Sequence, residues 1–259
     1  MPLKQLAKNI AQAKQVKTLE QEFLYMLTET ISLMVEKEKR KPSLSYKPSS
    51  LAGCPRNIYF QVTGITPDEV RETATGIGIQ ESGTDRHLRL QKAVSLIRQH
   101  GFDCDWIPVK EYLKVHPQPG TVIVKEDGFE TKCKNTVLNL SFMCDGIIRL
   151  KSIYCVLEIK TEASFKWMPR YEIEIDHKIQ AACYSIAFGI DRVIFLYEDR
   201  DLCRKKPYLY NVTNRDKEEL VIAKIESCEN HIRQNTVPPK SDRVKDCTYC
   251  RYKKECRKY

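Results

Sequence analysis

Two segments in the middle of the chain put polar residues where a core strand would be apolar. They are Phe142-Met143-Cys144-Asp145-Gly146-Ile147-Ile148 and Val156-Leu157-Glu158-Ile159-Lys160-Thr161. Strand alternation sets Glu158 and Lys160 on one face and Ile159 on the other. A carboxylate on a core strand is costly unless it is paired or binds a metal. Asp145 and Glu158 on adjacent strands offer oxygen ligands of the kind magnesium and manganese prefer. Lys160 beside them can orient a water or help to deprotonate it. A cation there acidifies water and neutralises charge building on a phosphate, and the lysine adds positive charge on the attacking side. That arrangement suits phosphodiester hydrolysis. Glu-x-Lys alone also fits an ordinary pair on a half-exposed strand; Asp145 in the apolar run just upstream tips the reading towards a site.

A second constellation is sulfur. Cys247, Cys250 and Cys256 are spaced C-x2-C-x5-C, and three thiolates leave a closed site one ligand short. Cys54, in the serine-capped segment Ser49-Ser50-Leu51-Ala52-Gly53-Cys54-Pro55-Arg56, is the candidate fourth. The chain holds 11 cysteines, an odd number that argues against a fully paired disulfide framework, and in a reducing compartment clustered cysteines more often hold metal. Four thiolates suit an iron–sulfur cluster or a structural zinc. Several of the other cysteines (Cys104, Cys133, Cys144, Cys155, Cys183, Cys203 and Cys228) lie in apolar runs and read as small hydrophobes.

Asp145 followed by Glu158-x-Lys160 resembles the core of the PD-(D/E)XK nucleases, without the proline that often precedes the aspartate. Gly83-Thr84-Asp85-Arg86-His87 resembles the G-x-x-x-H helix motif of the RecB-like branch, and Gln180-Ala181-Ala182-Cys183-Tyr184 its Q-x-x-x-Y motif. One cysteine before the core and three after it resemble the four-cysteine iron–sulfur nucleases of that branch, among them CRISPR-associated RecB-like exonucleases and the AddB nuclease domain. The resemblance covers about Ser49 to Tyr259. It implies an α/β restriction-endonuclease-like core, a central mixed sheet flanked by helices, with an iron–sulfur staple joining the N- and C-terminal segments. It also implies a DNA exonuclease acting on single strands or free ends, in phage recombination or replication, repair or CRISPR adaptation. His87, Asp145, Glu158 and the backbone carbonyl of Ile159 are the implied ligands of Mg2+ or Mn2+, with Lys160 assisting the attacking water. Gln180 and Tyr184 are implied to contact nucleic acid or position the lysine. The implied cofactor of Cys54, Cys247, Cys250 and Cys256 is a 4Fe–4S cluster, with zinc the alternative. A non-catalytic nucleic-acid-binding subunit that keeps the cluster and cleft is the competing reading, and an RNA-directed enzyme a third.

The elements that must position these residues follow from periodicity. Apolar spacing predicts a packing helix over Leu3–Lys39, a connector over Arg40–Ser50, a short helix to about Gly64 and a helix over Gln80–Gln99 carrying His87. Short β-like runs follow at Thr121–Val124, Val137–Leu150 and Ile153–Lys160, with Lys151-Ser152 as a turn. A helix over Asp176–Phe188, strands at Arg192–Tyr197 and Tyr208–Val212, and a helix over Asp216–Gln234 complete the core. The expected division is 1–48, helix and linker, and 49–259, nuclease. The net charge is +9 from 43 basic and 34 acidic residues, which suits a polyanion and equally a merely basic surface. Arg56, Lys166, Arg170, Arg251, Lys253 and Lys254 are candidate phosphate contacts, and Trp167 and Tyr184 candidate base-stacking residues, Trp167 fitting a core position equally well. No membrane span or export leader is read, so the expected location is cytoplasmic. No P-loop is present, so unwinding would fall to a helicase or recombination partner.

Overall fold

A computed structural model of the chain describes residues 18–34, 43–68, 73–248 and 250–259. It divides into two units, Met1–Glu38 with Arg71–Glu81, and Lys39–Val70 with Ser82–Tyr259. In the first, helix α1 (Leu19–Met34) has no buried residue. Its Phe23 and Met34 are exposed, and Ile31 of the same apolar set is partly covered. The rest of the helix expected over Leu3–Lys39 lies outside the described residues. Among those described, no helix is long and apolar enough to cross a membrane.

The second unit begins with two short helices, α2 (Pro48–Leu51) and α3 (Pro55–Val62), each opened by a proline that suits the first helical turn. Its core already includes Tyr46, which pairs with Leu140 and is 1% exposed. Helix α4 (Ala74–Ser95) belongs to this unit from Ser82 onward. Strand β1 (Cys104–Ile107) and helix α5 (Val109–Val115) follow, neither of them read from the sequence. Strands β2 (Thr121–Asp127), β3 (Glu130–Asn135) and β4 (Leu140–Cys144) form an antiparallel three-stranded sheet.

Strands β5 (Gly146–Leu150), β6 (Ile153–Glu162), β7 (Arg192–Asp199) and β8 (Lys205–Asn211) join β1 in a five-stranded sheet ordered β1-β5-β6-β7-β8. The sheet is mixed: β6 and β7 run parallel and the other neighbours antiparallel. The parallel pair is linked through α6 (Ser164–Trp167) and α7 (Ile175–Phe188), since parallel neighbours need a crossover. Asn214–Lys217 (α8), a π-helical turn at Glu218–Ile222 and Ala223–Arg233 (α9) make up the helix expected there, opened by a Thr213/Asp216 capping box. Short helices α10 (Val244–Thr248) and α11 (Lys253–Cys256) carry the tail cysteines.

Helices cover both faces of the sheet. Residues of α7 and α9, such as Ala181, Ala182, Phe188 and Ile225, pack with Val156, Val193 and Phe195 in one core. Leu90 and Val94 of α4 pack with Cys155, Leu157 and Ile159 on the other face. Buried on two sides, β6 reads as a nearly continuous apolar run, and alternation within it sends Glu158 and Lys160 towards the α7 side.

The run expected as one strand over Val137–Leu150 is two strands in two sheets, and the chain changes sheet at Asp145. Two features force the change. Lys151 and Ser152 both take positive φ, 47° and 67°, closing the tight β5–β6 turn, the geometry of a primed hairpin. Gly146 then lies under the ring of Trp106, where an added Cβ would meet Trp106 Cη2 at 2.2 Å. Only glycine lets β5 start so close to β1. We expect Gly146→Ala to destabilise the fold by about 1–3 kcal/mol, as overpacking does, measured by urea denaturation. In a Trp106→Ala background the same change should cost much less; an equal cost in both backgrounds would count against the close approach.

Candidate active site

Asp145 is 6% exposed and all its oxygens are engaged or faced by donors. Its Oδ2 accepts the Ile159 N–H of β6 at 2.7 Å, and its main-chain carbonyl accepts from Gln91 Nε2 at 2.9 Å. Its Oδ1 lies 3.4 Å from His87 Nδ1. His87 and Gln91 are four residues apart on α4 and so share a face. The helix is held there by arginines on either side of His87. Arg86 and Arg89 both bind Glu198, a fully buried carboxylate near the end of β7. Burial works against a charged His87, but the carboxylates of Asp145, Glu158 and Glu130 outweigh it and raise its pKa.

Glu158 is 4% exposed. Its Oε1 accepts from Lys160 Nζ at 2.6 Å and from Gln180 Nε2 at 2.7 Å, while its Oε2 is buried without a hydrogen-bond partner. Lys160 Nζ also donates to Gln180 Oε1 at 2.7 Å. Gln180 Nε2 lies 2.7 Å from the Tyr184 hydroxyl, which in turn donates to the Met143 carbonyl at 2.9 Å. The Q-x-x-x-Y pair is therefore a bracket: one turn of α7 ties Glu158 and Lys160 to the end of β4. Burial, then the charge on Asp145, pushes the Glu158 carboxyl up to about 7 against the pull of Lys160.

A third carboxylate of the site, Glu130, was not read from the sequence. Glu130 Oε1 is 4.0 Å from His87 Nδ1, and His87, Glu130 and Asp145 each offer a ligand atom within 4.8 Å of the others. Strand register could have found it. Thr131 pairs with Cys144, and one step further along an antiparallel ladder Glu130 falls opposite Asp145. Glu158 stands beside this trio with one oxygen turned to Lys160 and Gln180. An orphaned buried carboxylate oxygen, a histidine and two more carboxylates suit a hard divalent cation.

Other sequence expectations are redirected. Trp167 is 6% exposed, donates from Nε1 to the Tyr197 carbonyl at 3.1 Å, and has Lys206 and Arg204 against its ring, so it cannot stack on bases; neither can Tyr184, 1% exposed. Arg170 is taken up by Glu162 and Glu174 rather than left for a phosphate. His177 shares a 2.6 Å hydrogen bond with the Tyr197 hydroxyl, and burial, then Lys160, holds it neutral with a pKa lowered to about 4.

Elsewhere in the unit, both chain segments reach the sulfurs. Cys54 Sγ accepts the Ser241 N–H at 3.1 Å, and Cys250 Sγ accepts from Tyr252 N–H at 3.4 Å and Asn57 Nδ2 at 3.7 Å. Arg56, expected on phosphate, donates instead to Cys256 Sγ at 3.4 Å, to the Cys256 carbonyl and to the Pro238 carbonyl. Burial raises the Cys250 pKa, and the neighbouring Cys54, Cys256 and Cys247 add to the rise. Cys247 is the exposed member. Donors converging on sulfur fit thiolate ligands of a cluster or metal.

Neither a family model nor a curated protein matches the chain. Solved structures do show likeness. The protein SSO0001 is 18% identical, with 92% of this chain and 96% of that one covered at a TM-score of 0.43. The alkaline exonuclease LHK-Exo from Laribacter hongkongensis is 11% identical, with 75% of this chain and 90% of that one covered, at a TM-score of 0.44, and 0.45 for its complex with dAMP. At such identities and TM-scores the assignment stands on the site's own geometry.

The raised Glu158 pKa has a consequence for stability. Between pH 4.5 and about 7 the fold holds the proton more tightly than the unfolded chain, so stability present below 4.5 is lost as pH rises through 7. In EDTA the parent should therefore become less stable across this window, while Glu158→Gln should flatten the slope and be the more stable protein at pH 8. Identical pH slopes in chemical denaturation would show that Glu158 ionises normally.

Proposed function

We propose that this chain is a metal-dependent nuclease that hydrolyses DNA phosphodiester bonds, acting as an exonuclease on single strands or free ends. The observation that carries the reading is Glu158: a buried carboxylate with one oxygen unpartnered and the other held by Lys160 and Gln180, beside Asp145 and His87. An unsatisfied buried acceptor costs about 1–3 kcal/mol, and a protein keeps such a cost where function needs it. DNA as substrate follows from the family resemblance and agrees with the +9 net charge.

Asp145, Glu158, His87 and the Ile159 carbonyl are the groups that would hold Mg2+ or Mn2+, which supplies positive charge for the phosphate and acidifies water. The chain's own residues do the rest. Lys160, fixed from two sides by Glu158 and Gln180, aims a positive ammonium at the attacking side. Tyr184 and Gln180 keep that ammonium from swinging away, which is the positioning role the resemblance implied. His177, held neutral, adds no competing charge on the α7 side.

Lys160→Ala should lower cleavage of end-labelled DNA by at least about a hundredfold, the scale of a lost acid–base or electrostatic group, with DNA binding nearly unchanged. Asp145→Ala should lose both cleavage and Mn2+ binding. Cleavage at the parent rate by both variants would falsify the nuclease reading.

We further propose a 4Fe–4S cluster on Cys54, Cys247, Cys250 and Cys256. It is supported by the donors that reach three of the four sulfurs from both ends of the unit. Protein purified without oxygen should be brown from thiolate-to-iron charge transfer, and Cys54→Ser should bleach it as fully as Cys250→Ser. Cys104→Ser should leave the colour. A brown Cys54→Ser protein would remove Cys54 from the ligand set; a colourless parent carrying zinc would replace the cluster by zinc.

A further inference from the structure

We infer that Glu130 is an additional cation ligand of the nuclease site, brought in by the hairpin of the three-stranded sheet. The inference rests on the metal-dependent reading above. Three observations carry it. The first is proximity: Glu130, His87 and Asp145 gather one ligand atom each within 4.8 Å, from a strand, a helix and the residue between two sheets. The second is charge. As ligands of a cation Asp145, Glu130 and Glu158 would be ionised and bring three negative charges together, and Lys160 supplies one positive charge against them. With His87 neutral, as a ligand imidazole must be, the balance is two negative charges, which one divalent cation cancels.

The third is support. The hairpin tip is anchored beside the site, because Phe129 packs edge-on against Trp106 with ring centroids 5.4 Å apart at 83°. Trp106 in turn lies over Gly146, the residue after Asp145. The contact that forces glycine at position 146 thus also locks the strand start that carries Glu130. The Glu130 side chain is 34% exposed against 9% for Asp145, so Glu130 stands on the solvent side of the trio. Of the three, Glu130 would therefore be the cation ligand most open to solvent.

A bare ion-pair role is the alternative, in which Glu130 only faces a charged His87. Mn2+ binding separates the two, read by calorimetry and by the electron paramagnetic resonance of free Mn2+. Glu130→Gln should bind Mn2+ at least about tenfold more weakly, the lower end of what losing even an outer-sphere partner costs. Glu130→Asp, which keeps the charge but shortens the reach, should also bind more weakly. Glu126→Gln, an exposed carboxylate on the same hairpin, should bind like the parent. Parent-like affinity in both Glu130 variants would overturn the inference and leave the nuclease reading standing. A weakened Glu130→Gln with a parent-like Glu130→Asp would reduce Glu130 to a charge and overturn its ligand role. A parent that takes up no Mn2+ would sink the metal-dependent reading itself and the inference with it.

Discussion

The bond from the Ile159 N–H to Asp145 Oδ2, 2.7 Å long, is the contact on which the site's geometry depends. Asp145 is the single residue between a strand of one sheet and a strand of another, so its backbone has no ladder on which to rest. The charge-assisted bond to β6 and the Gln91 bond to its carbonyl hold it instead. Once Asp145 is pinned, the rest is placed. β5 begins at Gly146 under Trp106, β6 presents Glu158 and Lys160 at a known height, and the end of β3 brings Glu130 opposite. α4 must then lie where His87 reaches the same carboxylate, and the arginine clamp on Glu198 keeps it there.

Around that pin the structure concentrates groups that a folding core would exclude. Glu158 sits in a strand whose neighbours Val156, Leu157 and Ile159 are buried, and it keeps one oxygen unpartnered. Lys160, Gln180 and Tyr184 answer the other oxygen in an unbroken chain ending on the Met143 carbonyl. The half-answered network is less stable than either a completed one or an apolar one. Three carboxylates stand there against one lysine, an arrangement that the proposed cation would complete.

The sulfur end of the unit follows different physics. Its cysteines are about two hundred residues apart in the chain, and closing so long a loop costs the unfolded chain only slightly more than closing a short one. What holds the ends in the fold is a set of cross-chain contacts from both sides. Arg243 donates to the Ala52 carbonyl and pairs with Asp176, Asp68 N–H donates to the Arg251 carbonyl, and Tyr252 packs its ring against Phe60. Arg56 and Asn57 donate to sulfur from within α3, which ties that short helix to the tail it faces.

The sequence by itself determined the elements with strong local period and the residues whose polarity breaks it. The α7 helix, the β6 strand with Glu158 and Lys160 on one face, the Lys151-Ser152 turn and the facing of Gln180 with Tyr184 all follow from spacing, because alternation and the 3.6-residue period act within a few residues. Asp145 was legible as an anomaly in an apolar run, but not as a point where the chain changes sheet. That depends on Trp106 meeting Gly146 across forty residues, a contact no local pattern encodes. Trp167, Arg170 and Arg56 have side chains suited to nucleic acid, yet protein partners take them up, since a side chain's type does not say which neighbour will satisfy it. Glu130 is the reverse case: unremarked in an exposed hairpin by its sequence, it belongs to the site because strand register sets it opposite Asp145, and register is decided by how the β3 and β4 strands pack.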